Sequence, residues 1–246
     1  MRNIRLTLQY DGTNYFGWQC QKNTRLTIAE ILGKNLKTIL REEIKLIAAG
    51  RTDAGVHARA QTVNFTTVSS ITIPRLRQSL NALLPEDIRA VKAQDAPLDF
   101  NSRYNAKVKT YRYTILNRNF SDVFMRRYVY YFPLSRLDVS AMRKASAFLI
   151  GRHDFSSFKR VDKKKKTTVR ELKEIKIIKK GALIHIDVTA NSFLYHMARN
   201  IAGTLIEIGK GKLPPESLQE ILRAKNRKTA GPTAPARGLC LMKVKY

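Results

Sequence analysis

The run from Ala49 to Gln61 reads AGRTDAGVHARAQ. Its residue types predict a tight turn at Gly50 to Gly55. Asp53 stands there between two glycines, where the backbone can approach a ligand closely. Arg51 lies two residues before it and His57 four after it. Two readings fit. In the first, Asp and Gly are ordinary turn residues and Arg51 pairs with Asp53 to close the bend. In the second, a carboxylate beside a guanidinium on an exposed loop works as a nucleophile or a base. His57 can be read with Asp53 as an acid/base pair, but a local hydrogen-bonding role at the start of the next strand fits it better.

Other chemistries find little support. There is no Gly-x-Gly-x-x-Gly after a strand, no Walker loop and no Gly-x-Ser-x-Gly elbow. Gly209-Lys210-Gly211-Lys212 is too short and follows a helix. The four histidines, His57, His153, His185 and His196, do not pair at zinc-ligand spacing, and Cys20 and Cys240 form no CxxC unit. Any reaction here is expected to run without a nucleotide cofactor or a metal.

The elements that must hold these residues follow from periodicity. Ile4, Leu6, Leu8 and Tyr10 alternate as in a half-buried strand. Thr27 to Leu40 has apolar residues at helical spacing, with Thr27 as N-cap and Glu30 three residues on. Short strands are expected at Ile44 to Ala49, Gln61 to Phe65 and Ile88 to Ala93, with a helix from Pro74 to Leu84. In the second half, Lys109 to Leu116 alternates, with Tyr111, Tyr113 and Ile115 on one face. On that pattern alone Tyr111 is a core residue. A helix is expected over Leu137 to Ile150, and a hairpin over Val169 to Ile178 and Leu183 to Ala190. Ser192 is expected to cap a helix running to Gly209, followed by a helix from Pro214 to Ala224 and a last strand over Leu239 to Val244. Arg199 lies in that otherwise apolar Ser192 helix, beside a stripe of Phe193, Met197 and Ile201. It either snorkels to solvent or requires an acidic partner. The order of elements favours two α+β halves, 1–105 and 106–246, over βαβ crossovers.

Composition narrows the partner. The chain has 246 residues and a formal net charge of +27, with 43% hydrophobic residues. There is enough apolar material for a core, which excludes a disordered tail protein. Charge of this size opposes compaction and attracts polyanions, so a nucleic acid is the expected partner. Lys159 to Arg170 reads KRVDKKKKTTVR, and its Lys163–Lys166 run is either a solvated loop or a phosphate-contacting one. No stretch approaches the apolar length that spans a bilayer, and MRNIRLTLQYDG lacks the apolar core of a secretory signal. A cytoplasmic protein is expected.

With those residues in view, the chain resembles the tRNA pseudouridine synthase A family. AGRTDAGVHARAQ is similar to its signature. YDGTNYFGWQCQ (Tyr10 to Gln21), NALLPEDIRA (Asn81 to Ala90) and FNSRYNAKVKTYRY (Phe100 to Tyr113) resemble further motifs. So do DFSSF (Asp154 to Phe158), NSFLYHMARNIAGTL (Asn191 to Leu205) and AGPTAPARGLCL (Ala230 to Leu241). These motifs occur in order over nearly the whole length.

The resemblance implies isomerisation of uridine to pseudouridine in the anticodon arm of tRNA, at positions 38, 39 and 40. It implies an α+β fold of two halves that share a continuous, mostly antiparallel sheet around a central basic cleft. It implies a homodimer and neither cofactor nor metal. The catalytic aspartate falls on Asp53. The arginine that fills the space of the flipped base falls on Arg51, the active-site tyrosine on Tyr111, and the basic partner of the aspartate on Arg199. Arg103 is retained as an expected RNA contact. Departures are small: Asn101 stands where the family usually has histidine, Ser102 replaces alanine, and Cys20 and Cys240 occupy positions often filled by arginine and tyrosine. A rival class, a non-catalytic RNA-binding protein using the same basic surface, predicts RNA left chemically unchanged.

Overall fold

The structure is a computed structural model that describes residues 1–133, 135–160 and 167–246. The Lys163–Lys166 run lies outside the described residues. Two compact units are present, one of residues 1–107 with 241–246 and one of residues 108–240.

The first unit begins with β1 (Arg2–Tyr10), α1 (Ile28–Leu40), β2 (Ile47–Ala48), β3 (His57–Thr67), α2 (Ile73–Leu83) and β4 (Ile88–Ala96). The second carries β5 (Val108–Leu116), β6 (Tyr130–Tyr131), α3 (Val139–Ser146), β7 (Gly151–Asp154), β8 (Val169–Lys180), β9 (Leu183–Ala190), α4 (Met197–Gly209) and α5 (Ser217–Ala224). The last strand, β10 (Leu239–Lys245), starts in the second unit and runs into the first.

In the first unit the strand order is β4-β1-β3-β10, with β2 beside β3. β1 pairs antiparallel with both β3 and β4. Ile4, Leu6 and Leu8 of β1 are fully buried, as are Leu32 and Leu36 of α1 and Leu76 and Leu80 of α2. Each such side chain contributes about 1.5–3 kcal/mol relative to exposure. α1 starts where expected, because the Thr27 side chain accepts from Glu30 N–H. β3 is longer than its apolar core Gln61 to Phe65 suggests. Its middle is buried on both faces, so its polar members need partners. Asn64 finds them: Nδ2 donates to Asn3 Oδ1 and Phe100 O, and Oδ1 accepts from Ser102 N–H.

The sequence reading put the terminal strand with the second half, but residues 241–246 pack in the first unit. Tyr246 explains why. Its hydroxyl donates to Ser102 O, its ring lies against Phe100, and the Arg5 guanidinium sits 4.3 Å from the ring centroid.

In the second unit the order is β5-β9-β8-β7, antiparallel throughout, with β6 parallel to β5. α4 packs on β5 and α3, and α3 also touches β8 and α5. The fold is therefore α+β with mostly antiparallel sheet and flanking helices. Further element boundaries differ from the sequence reading, as β2, α3 and α4 show. β2 keeps only two of the six residues expected over Ile44 to Ala49. The helix expected to Ile150 ends at Ser146 and continues as a 3-10 turn. Ser192 does not cap α4: its hydroxyl bonds Asn191, and the left-handed residue His196 (φ 65°) stands at the cap position instead. Phe193 and Leu194 therefore precede the helix.

Candidate active site

In the first unit Asp53 lies on a loop that begins as the short strand β2 ends and closes as β3 begins. Asp53 is half-buried and Arg51 is exposed. The bend is tied down along its length. Ala49 N–H donates to Thr62 O and Gln61 Nε2 to Gly50 O, fixing its entry. Val56 N–H donates to Asp53 O at 3.2 Å, closing the turn over Ala54 and Gly55. Gly55 has φ +74°, a backbone state that suits glycine.

A second segment, residues 10–18, clamps the loop from outside. Trp18 N–H donates to Thr52 O, Gly55 N–H donates to Tyr15 O, and the Tyr10 and Thr52 hydroxyls share a 2.8 Å hydrogen bond. β1 carries a register shift between Leu8 and Tyr10, which aims the Tyr10 ring at this loop. Two glycines permit the close approach. A Cβ on Gly12 would stand 2.0 Å from Val56 O, and one on Gly17 2.6 Å from Thr52 O. The segment YDGTNYFGW is therefore a wall of the Asp53 loop.

His57 has the local role favoured from its position. Its Nδ1 lies 3.0 Å from Gly12 N and 3.1 Å from Asp11 Oδ1, and the ring is buried. Asp11 also accepts from Thr13 N–H and the Thr13 hydroxyl. His57 thus braces the wall that clamps the loop.

Arg103 is exposed, on a tight turn of the first unit. Asn101 Oδ1 accepts from both Arg103 N–H and Tyr104 N–H, so the asparagine found in place of histidine shapes this turn. The Arg103 guanidinium lies 5.5 Å from the Tyr104 ring centroid, and that ring is among the more exposed aromatics of the chain.

In the second unit Tyr111 is buried on β5, paired with Val188 of β9. Phe193 meets its ring edge-on, with centroids 4.8 Å apart at 76°. The sequence shows Phe193 only as part of an apolar stripe, because its ring neighbour Tyr111 lies on a distant strand. Two residues along the same face, Tyr113 donates its hydroxyl to Pro235 O at 3.0 Å. Burial pushes the Tyr113 phenol up, Tyr130 adds to this, and Arg199 and Arg237 oppose it.

Arg199, in the first turn of α4, is thus electrostatically close to the β5 face that carries Tyr111 and Tyr113. Its Nε donates to Ala234 O at 2.8 Å, and Ala234 N–H returns a bond to Arg199 O. The neighbouring Asn200 is fully buried. Its Nδ2 donates to Phe158 O, while Oδ1 accepts from the Thr233 hydroxyl and from Arg227. A Cβ on Gly203 would meet Pro232 O at 1.7 Å, so the 231–235 stretch rests directly on α4. AGPTAPARG therefore holds Arg199 in place; sequence alone showed the motif without showing what it rests against.

Among the described residues no helix is long and apolar enough to cross a membrane. A family model described as tRNA pseudouridine synthase matches residues 7–105 and 145–246. The chain is 47% identical over 244 residues to a tRNA pseudouridine synthase A of Moorella thermoacetica, covering 99% of each chain. It is 46% identical to one of Caldicellulosiruptor bescii and 45% identical to one of Thermoanaerobacter sp. (strain X514), each over 246 residues and 100% of both chains. The family match includes the Asp53 loop as well as the α4 and 231–235 segments that carry and hold Arg199, and on these grounds the chain belongs to the tRNA pseudouridine synthase family, isomerases that act on uridine in tRNA.

Proposed function

We propose that the chain converts uridine to pseudouridine at positions 38, 39 and 40 of the tRNA anticodon arm, with Asp53 as the catalytic carboxylate and without a cofactor. The observation that carries this reading is the Asp53 loop itself, a carboxylate on a bend clamped along its length by residues 10–18. A fixed carboxylate suits a reaction whose substrate must be presented in one geometry.

Uracil must leave the ribose through N1, turn, and rejoin through C5. The N1–C1′ bond breaks, a C5–C1′ bond forms, C5 loses its proton and N1 gains one, so atoms and electrons balance without an outside reagent. Attack by Asp53 on the uracil ring and attack on the ribose give the same overall balance. The base cannot turn inside a helix, so it is flipped out of the stack. Arg51 fills the space it vacates. Tyr111 offers a ring face for the uracil, and Arg199 is the basic partner of the aspartate. Arg103 contacts the RNA. The chain works in the cytoplasm as a homodimer, and sedimentation of the purified protein tests the dimer directly.

The decisive experiment compares Asp53→Ala with the wild type on tRNA transcripts, mapping the product by a pseudouridine-specific chemical reaction. The expected result is no product and retained tRNA binding. Turnover by pure Asp53→Ala protein refutes the assignment of Asp53, and unmodified RNA from the wild type refutes the function.

A further inference from the structure

The second unit carries a basic pocket that the proposed catalytic set does not use. Its cavity is about 390 Å³ and is lined by Lys159, Lys225, Arg227 and Lys228, with the side chains of Ser156 and Thr168 among the rest. Among the described residues no Asp or Glu lines it. Among the described residues, Asp154 pairs with Lys225, its Oδ2 lying 3.8 Å from Lys225 Nζ. That carboxylate is already engaged, since its Oδ1 accepts from Ser156 N–H and from the Ser156 hydroxyl. Among the described residues, Lys225, Arg227 and Lys228 against this one acid leave the lining positive.

The frame is rigid. Arg227 is held by its own fork: Nη1 donates to Ala230 O at 3.1 Å, and Nη2 donates to Asn200 Oδ1 and Thr233 Oγ1, both at 3.2 Å. The Asn226 side chain accepts from Lys228 N–H and sets the short 3-10 turn that presents Lys228. Lys225 occupies a left-handed backbone position, φ 48°, at the end of α5. Glycine would take that position without steric cost, so the lysine is held there against local preference. A site lined by fixed and flexible cations matches an anion with several acceptor oxygens.

We propose that this pocket binds a phosphodiester of the tRNA backbone and anchors the substrate without touching the reacting uridine. The proposal rests on the reading of the chain as a tRNA-modifying enzyme and adds a named binding site to it. The RNA backbone is favoured over a free phosphate ion because the pocket is open to solvent and larger than one phosphate requires, and because the chain as a whole carries +27. Phosphate contacts of this kind position a nucleic acid without reading its sequence.

The test measures tRNA affinity against salt for the wild type, for the double variant Lys225→Ala/Lys228→Ala, and for a control, Lys34→Ala/Lys45→Ala, that removes the same charge from exposed positions of the first unit. Each lost phosphate contact lowers the slope of log K against log salt by about 0.7–0.9. The pocket variant is expected to lose about 0.7–0.9 in slope while keeping wild-type kcat at saturating tRNA, and the control to keep its slope. Titration with inorganic phosphate at constant ionic strength forms the second arm. Competition with tRNA in the wild type but not in the pocket variant supports the site. An unchanged slope in the pocket variant overturns the proposal, as does an equal loss in the control. Phosphate binding that the pocket variant abolishes while its slope stays unchanged assigns the pocket to a free anion and overturns the RNA assignment. Inactivity of the wild-type protein on tRNA would sink the functional reading and leave the slope comparison interpretable.

Discussion

Gly12→Ala tests whether the clamp on the Asp53 loop matters for turnover. The new Cβ would stand 2.0 Å from Val56 O, whereas ordinary contact begins at 3.4 Å, so the carbonyl must retreat by about 1.4 Å. Val56 cannot move alone, because its N–H closes the turn on Asp53 O. A shift of about 1 Å in a reacting group costs roughly 100-fold in rate, which corresponds to about 2.7 kcal/mol of barrier. The expected result is a kcat near one hundredth of wild type, with tRNA affinity retained. Release of label from uridine deuterated or tritiated at C5 follows the reaction, because that hydrogen must leave. Overpacking also costs about 1–3 kcal/mol of stability, so the variant is assayed well below its own Tm, with folding checked by circular dichroism. A folded Gly12→Ala protein with kcat within threefold of wild type would refute the idea that this contact sets the position of Asp53.

Gly33→Ala supplies the opposite case. It lies in α1, its Cβ would meet only Leu46 Cδ1 at 3.9 Å, and alanine there should stabilise the protein by about 0.5–1 kcal/mol, read as a higher Tm with unchanged kcat. Tyr111→Phe keeps the edge contact with Phe193 and removes only the hydroxyl; if that group helps remove the C5 proton, kcat falls about 100-fold while tRNA affinity holds, and a wild-type rate excludes the role. Asp154 gives a pH test. Burial alone would raise its carboxyl, but hydrogen bonds from Ser156 and Thr168 and the charge of Lys225 outweigh that and bring it below its ordinary 3.8. Its stabilising contribution is complete above that value and is lost as pH falls through the lower folded value. Denaturant melts should therefore show Asp154→Asn less stable than wild type at neutral pH, with the gap closing below about pH 4. A gap independent of pH would contradict this.

The sequence carried most of the fold because the strands and helices bury one face each. β1 with Ile4, Leu6 and Leu8, and α1 with its Thr27 cap, followed from period and cap alone. Where tertiary contact decides, the pattern misled. Ser192 is a good cap by type, yet a left-handed His196 starts α4, because the preceding link is shaped by its own contacts, among them Phe193 on Tyr111 and Ser192 on Asn191. The Asp53 bend was legible from its glycines and polar residues. Its clamp was not, since Gly12 and Gly17 are some forty residues away and mean nothing until they meet Val56 and Thr52. Arg199 stood out as a cation in an apolar helix, but the carbonyl of Ala234 that receives it lies 35 residues further along the chain.

The placement of Leu241–Tyr246 within the first unit has a consequence for biogenesis. A nascent chain emerging from the ribosome has residues 1–107 in hand long before the piece that completes them, and must make the whole of the second unit in between. The unit bearing Asp53 stays unfinished until residues 241–246 are made, because β2 pairs with β3 only at Val63 and Asn64 and leaves the rest of that edge uncovered. An unpaired edge of that kind is open to wrong partners, and modification activity should switch on only after synthesis of those last residues.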